Sequence, residues 1–198
     1  ASSYLLQGLN VLYITLEMAE ERIAERIDAN LLDVTMEDLH DMPQQLYEGK
    51  ITKLREKTQG QLVIKEYPTA SAHSGHFKSL MNELALKKSF RPDVIFIDYL
   101  NICASSRFKG GNISSYFYVK AIAEELRGLA VEFNVPIFSA TQTTRTGYVS
   151  TDIGLEDTSE SFGLPATADF MFALISNEEL EALGQMKVKQ LKNRYNDP

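Results

Sequence analysis

Apolar and polar positions along this chain follow two alternating periods. Residues 10–16, Asn10-Val11-Leu12-Tyr13-Ile14-Thr15-Leu16, form a nearly continuous apolar run of strand length, the mark of a parallel strand covered on both faces. The run ends on Glu17. Before it, residues 3–7 read as the closing turns of a helix that stops at Gly8, a residue suited to the left-handed position just past a helix. Over residues 18–32 apolar side chains recur at Ile23, Ile27 and Leu31 among charges, and Thr35-Met36-Glu37-Asp38 opens the following segment in the manner of a capping box. Both stretches predict helices. A third helix is expected over residues 44–57, then a short strand at 61–66 that Pro68 stops.

The second half repeats the alternation. Residues 77–89 predict an amphipathic helix, and residues 93–98 a second buried strand, Val94-Ile95-Phe96-Ile97, closed by Asp98. Ile122, Leu126, Leu129 and Phe133 have helical spacing within residues 119–133, and residues 134–140 return as a strand just ahead of Thr141-Gln142. Residues 143–161 are polar and rich in turn formers, a length that points to a functional loop. Residues 169–175 and 186–191 read as two closing strands. Strands alternating with helices predict an α/β fold with a mostly parallel twisted sheet and right-handed crossovers, and 198 residues suffice for one domain over 1–198.

Composition narrows the function classes. The single cysteine, Cys103, excludes an internal disulfide framework and suits a reducing compartment. Ala1-Ser2-Ser3-Tyr4 carries no basic leader, and the longest apolar run, residues 94–104, is interrupted by Asp98 and too short for a bilayer, so a cytoplasmic chain without a membrane partner is expected. A net charge of −7 repels a phosphate backbone at long range, so any nucleic-acid contact has to be local.

In open α/β sheets ligands bind beyond the carboxyl ends of the strands, and Glu17, Asp98 and Gln142 each close an apolar strand there. Asp98 has the form of a Walker B carboxylate holding Mg²⁺ through water, with a helix N-cap as the equal alternative. Glu17 could orient an attacking water in nucleotide hydrolysis, or be a first-turn glutamate favoured by the helix dipole. Gln142 could sense a γ-phosphate and relay it to the long loop after it, or be a plain loop amide. Near the C-terminus Lys192 and Arg194 share one face at period two and could reach a phosphate, or belong to a basic edge strand with Lys187 and Lys189. His73 and His76 lack further ligands nearby, which argues against a metal site. Tyr116, Phe117 and Tyr118 could stack bases, or anchor the core.

Taken in order, Ile14-Thr15-Leu16-Glu17-Met18, Ile97-Asp98-Tyr99-Leu100, Ser139-Ala140-Thr141-Gln142 and Lys192-Asn193-Arg194 resemble the motor-domain motifs of DnaB-type replicative helicases. Ala121-Ile122-Ala123-Glu124-Glu125-Leu126-Arg127 and Gly163-Leu164-Pro165-Ala166-Thr167-Ala168-Asp169 look like the helicases of tailed phages, whose place of action is the host cytoplasm. The resemblance implies a RecA-like three-layer α/β/α fold and an ATP-dependent, 5′-to-3′ helicase on single-stranded DNA. It further implies a homohexameric ring, ATP and Mg²⁺ as cofactors, and a primase and a helicase loader as partners. It makes Glu17 the catalytic glutamate, Asp98 the Walker B aspartate and Gln142 the γ-phosphate sensor, and sends Lys192 and Arg194 into the adjacent subunit's site. The family's two DNA loops fall at about residues 105–115 and 143–161, with Arg107, Lys109 and Arg145 as cationic candidates.

One departure stands out. No G-x-x-x-x-G-K-[ST] element is present, and Gly110-Gly111 does not substitute for it. The expectation is a fragment whose phosphate loop and amino-terminal domain lie upstream of Ala1, weak in ATP binding by itself. Two other readings remain: a RecA/RadA-like strand-exchange recombinase that forms filaments, and a non-catalytic RecA-like scaffold.

Overall fold

The computed structural model describes residues 1–108, 113–143, 154–157 and 163–196. The chain divides into two compact units, Ala1–Ala104 with Leu129–Ala140, and Ser105–Gly128 with Thr141–Pro198.

The first unit holds helix α1 (Ser2–Leu6), strand β1 (Val11–Thr15), helices α2 (Glu20–Leu32), α3 (Met36–Asp41) and α4 (Gln44–Lys57), strand β2 (Leu62–Glu66), helix α5 (Ser74–Lys88), strand β3 (Val94–Asp98) and strand β4 (Ile137–Ser139). The four strands form one parallel sheet in the order β2-β1-β3-β4. Register places Val11 beside Leu62 and Val94, and Tyr13 beside Ile64 and Phe96. That row faces α1 and α2, where Leu5, Ile23 and Ile27 are packed with it. The alternate row, Leu12, Ile14, Ile95 and Ile97, points to the other face and is at most 2% exposed. Both faces are therefore covered, which is why β1 and β3 read as unbroken apolar runs. Each such side chain gains roughly 1.5–3 kcal/mol over its exposed state.

Local signals explain most boundaries. Gly8 has φ +82°, and the Gly8 and Leu9 amides donate back to the carbonyls of Leu5 and Tyr4, which closes α1 in a Schellman motif. Thr35 and Asp38 form the reciprocal capping box at α3. Helix α5 begins at Ser74, earlier than its apolar spacing marks. The reason is a cap of two histidines: the Gly75 amide donates to His73 Nδ1 at 3.0 Å, and the His73 amide to His76 Nδ1 at 3.2 Å. Strand β4 starts later than residue 134, because Asn134 is left-handed (φ +51°) and Pro136 has no amide to pair.

The second unit contains helix α7 (Gly163–Thr167), strand β5 (Phe170–Ile175), helix α8 (Glu178–Ala182) and strand β6 (Lys187–Asn193). Helix α6 (Ser115–Phe133) is shared, its residues changing unit after Gly128. The two closing strands pair with each other and run antiparallel, so among the described residues parallel order belongs to the first unit. Ala173 and Ile175 bury one face of the pair with Leu191. A bulge between Met171 and Phe172 leaves Leu191 without an opposite residue: Phe172 pairs Gln190 while Met171 pairs Lys192. The mostly parallel α/β class expected from the sequence is the fold observed. Among the described residues no helix is long and apolar enough to cross a membrane.

Candidate functional site

Thr15 lies level with Glu66 on one side and Asp98 on the other, and Ile97 pairs with Ser139, so the parallel strands end at a common rim. Glu17 stands two residues past β1 and is exposed. The turn that presents it is tightly held. Thr15 is fully buried; its hydroxyl donates to the Met18 carbonyl at 2.8 Å and accepts the Met18 amide at 3.0 Å. The Leu16 amide donates to the Asp98 carbonyl at 2.8 Å, and the Leu16 carbonyl accepts the Thr69 hydroxyl at 2.7 Å. Backbone on both flanks thus pins residues 15–18, and the Glu17 carboxylate has no bonded partner among the described residues.

Asp98 is half-buried at the end of β3. Its Oδ2 accepts the Tyr13 hydroxyl at 3.0 Å, and Oδ1 has no partner among the described residues. Burial, then the Asp98 charge, pushes the Tyr13 hydroxyl well above its ordinary range, so the phenol stays a donor. The Asp98–Tyr99 peptide is cis, the Leu100 amide donates to the Ala140 carbonyl, and the Ser139 hydroxyl donates to Ile97 at 2.7 Å. These bonds tie the ends of β3 and β4 together just before Gln142, which is exposed. Among the described residues no three His, Cys, Asp or Glu side chains come together around a metal. One carboxylate with a free oxygen fits Mg²⁺ held mainly by phosphates and water, the habit of this hard, reluctantly dehydrated ion.

In the second unit Lys192 and Arg194 lie on the same side, as their spacing predicts. Lys192 Nζ donates to the Pro165 carbonyl, and Arg194 Nη2 to the Ala166 carbonyl at 2.9 Å. Both cations therefore cluster at the carboxyl end of α7, where the helix dipole favours positive charge. Burial, then neighbouring Arg194, lowers the Lys192 pKa. Arg107 is exposed and ion-paired with Glu124. Lys109 and Arg145 lie outside the described residues, as does most of the loop over 143–161. Tyr118 accepts the Ser105 amide at 3.1 Å, whereas Phe117 is 59% exposed beside a cavity of about 420 Å³ lined by Phe108, Ile113 and Ser114. His73 and His76 serve as caps.

Sequence reasoning missed the residues that hold this site: Tyr13, Thr15 and Asp169. Thr15 carried a signal, a polar residue inside a buried strand. Tyr13 and Asp169 carried none, since their partners are 85 and 25 positions away or more.

A model of the DnaB-like helicase C-terminal domain matches residues 1–194. The chain belongs to this family. It is 52% identical over its whole length to a DnaB-like replicative helicase of Enterobacteria phage T4, of which it covers 42%. It is 34% identical over 144 residues to a probable plasmid replicative DNA helicase of Chlamydia trachomatis, covering 70% of this chain and 30% of that protein. The chain thus spans less than half the length of these helicases. Among solved structures, a DnaB-like replicative helicase described with its primase interactions superposes with TM-score 0.77 at 18% identity, over 98% of this chain and 48% of that one. A helicase-type ATPase domain superposes with TM-score 0.78 at 17% identity, over 100% of this chain and 71% of the other. These likenesses place the fold among RecA-like ATPase domains.

Proposed function

We propose that this DnaB-like chain is the motor of an ATP-dependent replicative helicase that moves 5′-to-3′ on single-stranded DNA, with both units acting as parts of one domain. The observation that carries the reading is Glu17: an exposed, unpartnered carboxylate on a turn pinned by Thr15, Leu16 and Thr69, at the same rim as Asp98. A group that must align a water against a phosphate needs both freedom from other bonds and a rigid support.

In this scheme Glu17 orients the attacking water and takes its proton. Asp98 turns its free oxygen toward the water shell of Mg²⁺, while Tyr13 fixes the other oxygen. Bound between the β- and γ-phosphates, the ion neutralises developing charge. Gln142 reads the γ-phosphate from the end of β4. Lys192 and Arg194 serve the nucleotide of the neighbouring subunit in a six-membered ring. DNA lies against the loops at 105–115 and 143–161, with Arg107, Lys109 and Arg145 touching phosphates; local cations are what a chain of net charge −7 requires. The 48% coverage of a helicase described with primase supports a primase partner, and a loader and a cytoplasmic setting belong to the same proposal.

Strand displacement by the full-length protein tests this. With ATP and Mg²⁺ it unwinds a fork bearing a free 5′ tail and leaves a substrate with only a 3′ tail intact. Displacement of the 3′-tailed substrate alone, or filaments in place of rings by electron microscopy, would reject it.

A further inference from the structure

Arg194 is gripped twice by a residue to which neither motif nor family model gives a role. The Asp169 carbonyl accepts the Arg194 amide at 2.9 Å, and Asp169 Oδ1 accepts Arg194 Nε at 2.9 Å. The same oxygen accepts Arg127 Nη2 from α6 at 2.9 Å. Arg194 Nη2 is occupied in turn by the carbonyls of Ala166 at 2.9 Å, Thr167 at 3.3 Å and Ala168 at 3.4 Å. Only Nη1 has no bonded partner among the described residues.

A guanidinium is planar, with its donors in a fixed fork, so holding two nitrogens fixes the plane and the direction of the third. We propose that Asp169 is a positioning residue for Arg194, aiming Nη1 outward as the donor presented to a phosphate. The inference rests on the role given to Arg194 above. The β-bulge supports it: Leu191 adds one residue to β6, and Lys192 and Arg194 thereby fall on the face of Met171 and Asp169. Without that residue Arg194 would point away from Asp169. Arg127 completes the device. Two arginines on one carboxylate leave a net positive cluster, so Asp169 orients Arg194 without cancelling its attraction for an anion. The carboxylate in return raises the Arg127 pKa.

A merely structural Asp169 predicts a different pattern from a positioning one, and a double-mutant cycle separates them. Full-length Asp169→Asn, Arg194→Ala and the double variant are compared for kcat and KM in DNA-stimulated ATP hydrolysis. Loss of the donor in Arg194→Ala is expected to lower kcat about 100-fold. Misaiming it in Asp169→Asn is expected to lower kcat roughly tenfold with KM for ATP within about twofold. The double variant should be no slower than Arg194→Ala. If Asp169→Asn does not assemble, Asp169→Glu keeps the charge, shifts the guanidinium and enters the same cycle with the same expectation. Losses that multiply in the double variant, or full kcat in the Asp169 variant beside a crippled Arg194→Ala, overturn this inference alone. Unchanged kcat in Arg194→Ala overturns the role of Arg194 itself and leaves Asp169 nothing to position.

Discussion

The Tyr13 hydroxyl donates to Asp98 Oδ2 at 3.0 Å, joining the middle of β1 to the carboxylate that closes β3. The two residues stand 85 positions apart, and the parallel register of β1 on β3 brings them together. One oxygen of Asp98 is thereby committed and the other left for a ligand. Tyr13→Phe should lower stability by about 1–2 kcal/mol, the worth of a hydrogen bond to a charged acceptor, measured by urea denaturation. Because Asp98 and burial raise the Tyr13 pKa above its ordinary 10.0, this stabilisation is complete below pH 10 and is lost as pH rises through the folded value. The phenylalanine variant should lack that alkaline loss; an identical pH profile would remove Tyr13 from the account.

Thr15 predicts a split between folding and catalysis. Thr15→Val keeps the shape but deletes the hydroxyl that accepts the Met18 amide and donates to its carbonyl. With those groups unpaired, a stability loss of about 1–3 kcal/mol is expected. ATP hydrolysis by the full-length protein should fall at least tenfold in kcat as the Glu17 turn loosens. A stable variant with full turnover would show that the turn is not what aims Glu17.

Gly60 tests the packing at the start of β2. A Cβ there would come within 2.4 Å of the Leu9 carbonyl oxygen and 3.0 Å of that of Leu5, both backbone atoms that cannot step aside. Gly60→Ala should cost roughly 1–3 kcal/mol by overpacking, read from the urea midpoint. Gly49→Ala, where a Cβ meets nothing, is the control and should stay within about 0.5 kcal/mol or gain stability.

Cys103 is buried just after the turn that follows β3, and burial pushes its thiol up from 9.0 to about 12. Modification by a thiol reagent at pH 8 should therefore be roughly a thousandfold slower in the folded protein than in urea, since only the thiolate reacts. Equal rates would place Cys103 at the surface.

Much of this architecture is legible in the sequence because the relevant signals are local. Val94-Ile95-Phe96-Ile97 before Asp98 gives both the strand and its carboxylate, and Gly8 gives the end of α1. Helix α4 occupies the residues its pattern marks. What escaped depends on distant partners or polar caps. The antiparallel pairing of β5 with β6 needs the Leu191 bulge, which no period reveals. The start of α5 is set by His73 and His76, residues read first for metal chemistry. Glu17 and Asp98 are legible as candidates, while Tyr13, Thr15 and Asp169, which hold and aim the site, become visible only once the strands are paired.

The central claim is that Glu17 activates water for ATP hydrolysis at the rim shared with Asp98. Steady-state DNA-stimulated ATP hydrolysis by full-length Glu17→Gln, with ATP affinity measured in parallel, tests it most directly. The account predicts a fall in kcat of at least about 100-fold with ATP affinity within about threefold of the unmodified protein. Unchanged turnover in that variant would contradict it.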